Sequence, residues 1–218
     1  MNILLVDDHP MTVEGFMNVL LKADFLKEKP VFTKKHSCEG AYIAITEAIQ
    51  NGQLFDLAII DQGLPSYPEQ FLTSGSDLAL LTRKRMPDCK IIMVTAHSEV
   101  ITIYDIVKKV NPGGLINKND INPDNLQLIV SEVMQGNQYH SLTVKNCINE
   151  IWKKELMFDD FNRQILSYLS IGFKVKELED VVHLSTSAVQ KRVIRMKTAF
   201  EVTDDSGLVK EAIKQGFI

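Results

Sequence analysis

The 218-residue chain is long for one small domain and comfortable for two, and its 45% hydrophobic and 24% charged residues suit a globular protein with real cores. Its formal net charge of −4 is mild and unevenly distributed, and no apolar run is long enough to span a bilayer. The N-terminus enters a strand with no export-signal order, and Cys38, Cys89 and Cys147 are odd in number and fit no metal-ligand spacing, so free thiols in a cytoplasmic protein are expected.

Taken in chain order, Ile3-Leu4-Leu5-Val6 is an apolar run ending in the acid pair Asp7-Asp8. His9-Pro10 then opens a helix with Val13, Phe16, Met17, Leu20 and Leu21 at helical spacing. Val31-Phe32-Thr33 reads as a short edge strand, and Cys38 to Gln50 as a helix with Tyr42, Ile45 and Ile49 on one side. Leu57 to Ile60 is an unbroken apolar run, as expected of a strand buried on both faces, and it ends at Asp61. A long loop, 64–75, carries Pro65 and Pro68 before Ser76 caps a helix that stops at Pro87. The run Ile91 to Val94 ends at Thr95, with a helix over about 98–110 inward at Ile103, Ile106, Val107 and Val110. Asn111-Pro112-Gly113-Gly114 turns into Leu115-Ile116, which leads to Lys118. Asn122-Pro123 starts a helix inward at Leu126, Ile129, Val130 and Val133. Five strands alternating with five helices over 1–136 imply an α/β domain with a doubly wound, five-stranded parallel sheet of order 2-1-3-4-5.

The polar patch Gly136-Asn137-Gln138-Tyr139-His140-Ser141 marks a domain boundary, and 137–157 reads as a linker with a helical face of Val144, Cys147, Ile148, Ile151 and Trp152. Residues 158–218 are all-helical. Phe161, Ile165, Leu166 and Leu169 make one helix stopped at Gly172, and Val175, Leu178, Val181 and Val182 make a second. After a turn capped by Ser185 or Ser187, a third runs to about Phe200, and a fourth covers 207–215. A tight turn before a basic helix reads as a helix-turn-helix.

Four strand ends thus carry an acid pair, an acid, a hydroxyl and an amine. Order 2-1-3-4-5 places the ends of the first and third strands side by side, where Asp7, Asp8 and Asp61 converge. Carboxylates in contact repel by ~4 kcal/mol at an effective dielectric near 20, so a cation is implied, and an all-oxygen set favours Mg²⁺ and phosphate chemistry. In that chemistry Asp61 is the nucleophile, Lys118 neutralises the transferred oxygens and Thr95 donates a hydrogen bond, while small Ala96 leaves room above.

These residues carry a resemblance. The pair Asp7-Asp8, the D-x-x-L-P run of Asp61 to Pro65, Thr95-Ala96 and Lys118 preceded by Leu115-Ile116-Asn117 resemble the receiver domain of two-component response regulators over 1–136. Gly172, Lys176-Glu177-Leu178, Ser185, Val189, Val202 and 212–218 resemble the LuxR-type helix-turn-helix of the NarL/FixJ class. The resemblance implies Mg²⁺ on Asp8, Asp61 and the Gly63 carbonyl, with Asp7 acting through water, and phosphate drawn from a phosphohistidine on a sensor histidine kinase. It also implies a homodimer when phosphorylated, through a face over 98–119. Departures are Leu115, where an aromatic is usual, a longer loop after Asp61, Asn162 for Glu, Ala188 for Thr and Arg192 for His.

In the third C-terminal helix Val189, Val193, Met196 and Phe200 share the core face, while Ser187, Gln190, Lys191 and Ile194 share the opposite one, flanked by Arg192, Arg195 and Lys197. A basic cluster is ordinarily a solvated face, but exposed Ile194 beside Gln190 and Lys191 suits a major groove: Gln pairs adenine, Lys pairs guanine and Ile meets a thymine methyl. The expected function is a phosphorylation-controlled DNA-binding transcription regulator that catalyses only its own phosphoryl gain and loss. The alternative is a regulator controlled by partner binding alone. A phosphohydrolase would need an Asp at Gly63, and a dinucleotide binder a glycine-rich turn where Asp7-Asp8-His9-Pro10 stands.

Overall fold

The computed structural model describes residues 1–23 and 29–218, with the side chains of Trp152, Lys154, Glu155 and Phe158 outside the described set. These residues divide into two compact units, Met1–Cys147 and Ile148–Ile218, and the division falls inside the stretch expected as linker. Among the described residues no helix is long and apolar enough to cross a membrane.

In the first unit, strands β1 (Asn2–Val6), β2 (Val31–Lys35), β3 (Leu57–Asp61), β4 (Lys90–Thr95), β5 (Gly114–Asn117) and β6 (Tyr139–His140) alternate with helices α1 (Pro10–Leu20), α2 (Cys38–Gln50), α3 (Gly75–Arg85), α4 (Val100–Lys109) and α5 (Pro123–Met134). All pairings are parallel, in the order β2-β1-β3-β4-β5-β6. The expected order holds, with a sixth strand added at the β5 edge. Its two residues sit in a polar patch with no apolar run, so hydrophobic pattern could not reveal it. What makes it a strand is pairing: Tyr139 N–H donates to the Gly113 carbonyl (2.9 Å) and Ser141 N–H to that of Leu115 (3.1 Å). A short strand of this kind closes an edge that would otherwise display unpaired backbone groups.

Period-two alternation gives the sheet two apolar faces. Ile3, Leu5, Leu57, Ile59, Ile92, Val94 and Ile116 pack on one side with Val13 and Leu20 of α1 and with Leu126, Ile129, Val130 and Val133 of α5. Burying such a Leu or Ile contributes about 2 kcal/mol each before conformational entropy is subtracted, so this layer fixes the strand ends in place.

Three helix expectations shift. In α2 the buried face is Cys38, Ala41, Ala44, Ile45 and Ala48, not one with Tyr42 and Ile49. Small side chains let that helix lie close to the sheet, and Tyr42 turns instead to an edge-on contact with Tyr67 and a cation–π contact with Arg85. Leu21 is exposed and follows the last residue of α1. α3 begins at Gly75 after Ser74, and Ser76 Oγ donates to Gln62 Oε1 (2.7 Å) instead of capping. Gly75 is required there: a Cβ would lie 1.9 Å from the Asp61 carbonyl oxygen.

Helix α6 (Leu142–Phe158) crosses the division between the units. Val144 and Cys147 are buried as expected, Ile148 and Ile151 are half-buried, and the Trp152 side chain lies outside the described residues. The second unit holds α7 (Asp160–Ser170), α8 (Glu179–Val182), α9 (Thr186–Phe200) and α10 (Asp205–Lys214). The expected second helix is broken into a 3-10 turn, Val175–Glu177, and the four-residue α8, yet Leu178 and Val182 still reach the core with Ile165, Leu166, Val189, Val193, Met196 and Phe200. His183, in a left-handed conformation, ends α8, and the Ser185 hydroxyl caps α9 on the amide of Ala188.

Candidate functional site

The strand ends do converge. Asp61 closes β3, Asp7 follows β1, Thr95 closes β4, and Lys118 opens a 3-10 turn (Lys118–Asp120) just after β5. Lys118 Nζ lies 2.8 Å from Asp7 Oδ2 and 2.9 Å from Asp61 Oδ1. Both carboxylates are nearly buried, at 2% and 5% exposure. The other Asp61 oxygen, Oδ2, accepts from the Gly63 amide at 2.8 Å. A Cβ on Gly63 would lie 3.3 Å from that same oxygen, so glycine keeps the approach to it open.

Burial raises the pKa of Asp61 above its ordinary value, helped by the Asp7 charge, and the Lys118 and Gly63 contacts only partly offset this. For Lys118 burial works downward, but its bonds and charges with Asp7 and Asp61 outweigh it and hold the ammonium above its ordinary value. Lys118 is therefore firmly cationic, and Lys118→Ala is expected to lower stability by about 3 kcal/mol in chelator, since it strands two buried carboxylates. Divalent cation should restore part of that loss, which denaturant melts with and without Mg²⁺ would measure.

Thr95 is fully buried and its hydroxyl accepts from the His97 amide at 3.0 Å, leaving the hydroxyl hydrogen free for an oxygen above Asp61. Asn117, also buried, joins the two loops: its Nδ2 donates to the His97 carbonyl (2.8 Å) and its Oδ1 accepts from the Asn119 amide (3.0 Å). The sequence marks Asn117 only as the residue before Lys118, because the loops that it joins are distant in sequence.

The donor set suits a hard cation. Asp7, Asp8 and Asp61 bring three carboxylates against one lysine, and buried Asp7 Oδ2 has the Lys118 ammonium at 2.8 Å as its counter-charge. Oxygen ligands in excess negative charge are what Mg²⁺ or Ca²⁺ takes. Among the described residues, however, the ligand atoms within 4.8 Å of one another are those of Asp7, Asp8 and His9. Asp61 stands outside that group, engaged by Lys118, and Gly63 meets it through its amide. His9, half of a pair with Asp8 (Nδ1–Oδ1 2.6 Å), was missed as a neighbour of the site although it directly follows the acid pair.

In the second unit Ser187, Gln190, Lys191, Ile194 and Arg195 are all exposed on α9, opposite its buried Val189, Val193 and Met196. Ile194, at 61% exposure, sits among them. Arg192 does not share this freedom. Its guanidinium donates to Asp159 Oδ1 and to the buried Asn162 Oδ1, both at 2.9 Å, and lies over the Phe161 ring. Burial pushes the Asp159 pKa up, but Arg192 and the Asn162 amide together outweigh it and hold the carboxyl below its ordinary value. Expected as a flanking contact, Arg192 is instead a brace between α9 and the start of α7. Arg192→Ala should therefore cost about 2 kcal/mol of stability by leaving Asn162 Oδ1 buried without a donor. Chemical unfolding checks the loss.

No protein-family model matches the chain. Over 222 residues it is 24% identical to the response regulator UvrY of Escherichia coli, an alignment covering 99% of this chain and 94% of that relative. It is 20% identical over 220 residues to the transcriptional regulatory protein MctR of Rhizobium johnstonii, with coverage of 99% and 94%. The chain is similar from end to end to response regulators of the NarL/FixJ class. Solved response regulators share its fold. RcsB of Salmonella typhimurium superposes with a TM-score of 0.57 at 16% identity, covering 98% of both chains. The two-component response regulator RcsB in a DNA complex gives 0.55 at 16% identity and the same coverage. The fold is that of a receiver followed by a helix-turn-helix, carrying six strands where five were expected.

Proposed function

We propose that the chain is a phosphorylation-controlled DNA-binding transcription regulator, with residues 1–136 as the phosphoacceptor domain, 137–157 as linker and 158–218 as the DNA-binding domain. The observation that carries this reading is the meeting of Asp61 and Asp7 on Lys118, beside Thr95, at the C-terminal ends of the strands. An Asp61 oxygen attacks phosphorus, and the acyl-phosphate O–P bond forms as the N–P bond of a phosphohistidine on a sensor histidine kinase breaks. The bonding pair and a proton return to the imidazole. Lys118 then faces the transferred oxygens and the Thr95 hydroxyl donates to one of them. Asp8, Asp61 and the Gly63 carbonyl would hold Mg²⁺, with Asp7 acting through water, and the ion supplies charge neutralisation for phosphoryl transfer. The chain catalyses only this gain and the later loss of phosphate. The Asp7-Asp8-His9 grouping supports a cation at the site, and the exposed set on α9 supports contact with double-stranded promoter DNA.

Fully buried Leu115 favours a second reading, in which partners and not phosphate set the receiver's state. One experiment separates the two: incubation with acetyl phosphate and Mg²⁺, followed by intact mass and sedimentation. The proposal expects one added phosphoryl group and a larger dimer fraction. An unchanged mass sinks it and leaves partner control standing.

A further inference from the structure

Both loops that close over the site are fastened to the same short piece of chain. Thr95 leads into one loop and Lys118 opens the other. From the first, the Ser98 carbonyl accepts from the Cys147 thiol at 3.4 Å. From the second, the Asn117 amide donates to Ser141 Oγ at 3.1 Å, and Asp120 accepts from Thr143 twice, from its amide at 2.9 Å and its hydroxyl at 3.0 Å. The backbone pairing of β6 with β5 adds to these, and Ser141, Val144 and Cys147 are buried within the first unit. Residues 139–147 lead directly along α6, the covalent path toward the second unit.

We propose that residues 139–147 form a latch that reads the state of the Asp61 site and passes it to α6; this rests on Asp61 being the phosphoacceptor. The direction of the effect follows from strand order. Asp61 and Asp7 lie at β3 and β1, whereas β6 lies beyond β5, on the far side of β4 and β5 from the site. A phosphoryl group added to Asp61 places a more negative group beside Lys118, which now holds Asp61 Oδ1 at 2.9 Å, and it draws the Thr95 hydroxyl and the Lys118 ammonium toward itself. Loops pulled toward β3 are pulled away from β6. Asn117 transmits the movement as one piece, because it bonds the His97 carbonyl on one loop and Ser141 from the other. The latch is weak enough to respond, since β6 has only two residues.

Hydrogen exchange of the full chain, read by peptide mass with and without acetyl phosphate and Mg²⁺, tests this. With Asp61 modified, amides over 139–147 are expected to exchange about tenfold faster while those of β3 stay unchanged. Ser141→Ala and Asp120→Ala should each give the faster exchange without phosphate and still take up one phosphoryl group. Phosphoryl gain with exchange over 139–147 unchanged or slowed overturns the latch alone. Variants that exchange as slowly as wild type overturn the fastening bonds assigned here. No phosphoryl gain overturns the acceptor reading, and the latch's driving force with it.

Discussion

Asp61→Asn is expected to gain no phosphoryl group under conditions where the wild-type chain gains one, and to melt no lower than wild type in chelator. The first effect is chemical: an amide oxygen is no nucleophile for phosphorus, and among the described residues Asp61 is the carboxylate on Lys118 whose other oxygen lies beside a glycine. The second is electrostatic. Burial, reinforced by Asp7, raises the folded pKa of Asp61 above 3.8, so stability tied to this group is fully present below the unfolded pKa and is lost as pH rises through the folded one. Asparagine carries no such penalty, so the wild-type loss of stability upward from pH 3.8 should flatten in the variant. Thermal melts across that window give the comparison. A variant that takes up phosphate normally would move the acceptor elsewhere.

Gln190→Ala is expected to weaken binding to a preferred duplex by about 1–3 kcal/mol and leave scrambled DNA nearly untouched. Its side chain is exposed on the same face of α9 as Lys191 and Ile194. Arg195, at the margin of that face, is exposed where phosphates would lie. Arg195→Ala should weaken all sequences alike and flatten the salt dependence by ~1 unit of log–log slope. Arg192→Ala should do neither at a temperature where it is folded, because its guanidinium is spent on Asp159 and Asn162. Titrations on specific and scrambled duplexes at several salt concentrations separate the three. Equal losses on both duplexes for Gln190→Ala would take base reading away from this face.

The strand ends were legible because each is an apolar run followed at once by a polar group, and parallel order then dictates which ends are neighbours. The α9 core face was legible from its period of 3.6. What escaped depends on distant partners. β6 exists only because the β5 edge pairs with it, so its polar residues gave no sign. Gly75 is needed only because the start of α3 presses on the Asp61 carbonyl. Arg192 and Asn162, read singly as departures from a family pattern, are two halves of one contact. In α2, alanines could form the buried face because close approach to a sheet favours small residues, which a count of large apolar side chains overlooks.

Control of DNA binding by phosphate on Asp61 is expected of the chain. It is tested most directly by measuring the affinity of the full chain for its preferred duplex with Asp61 unmodified and with Asp61 stoichiometrically phosphorylated, the occupancy verified by intact mass in the same samples. Binding is expected to tighten by about tenfold on phosphorylation, and Asp61→Asn to abolish the gain. Equal affinity of the two forms, with the phosphoryl group confirmed on Asp61, would contradict it.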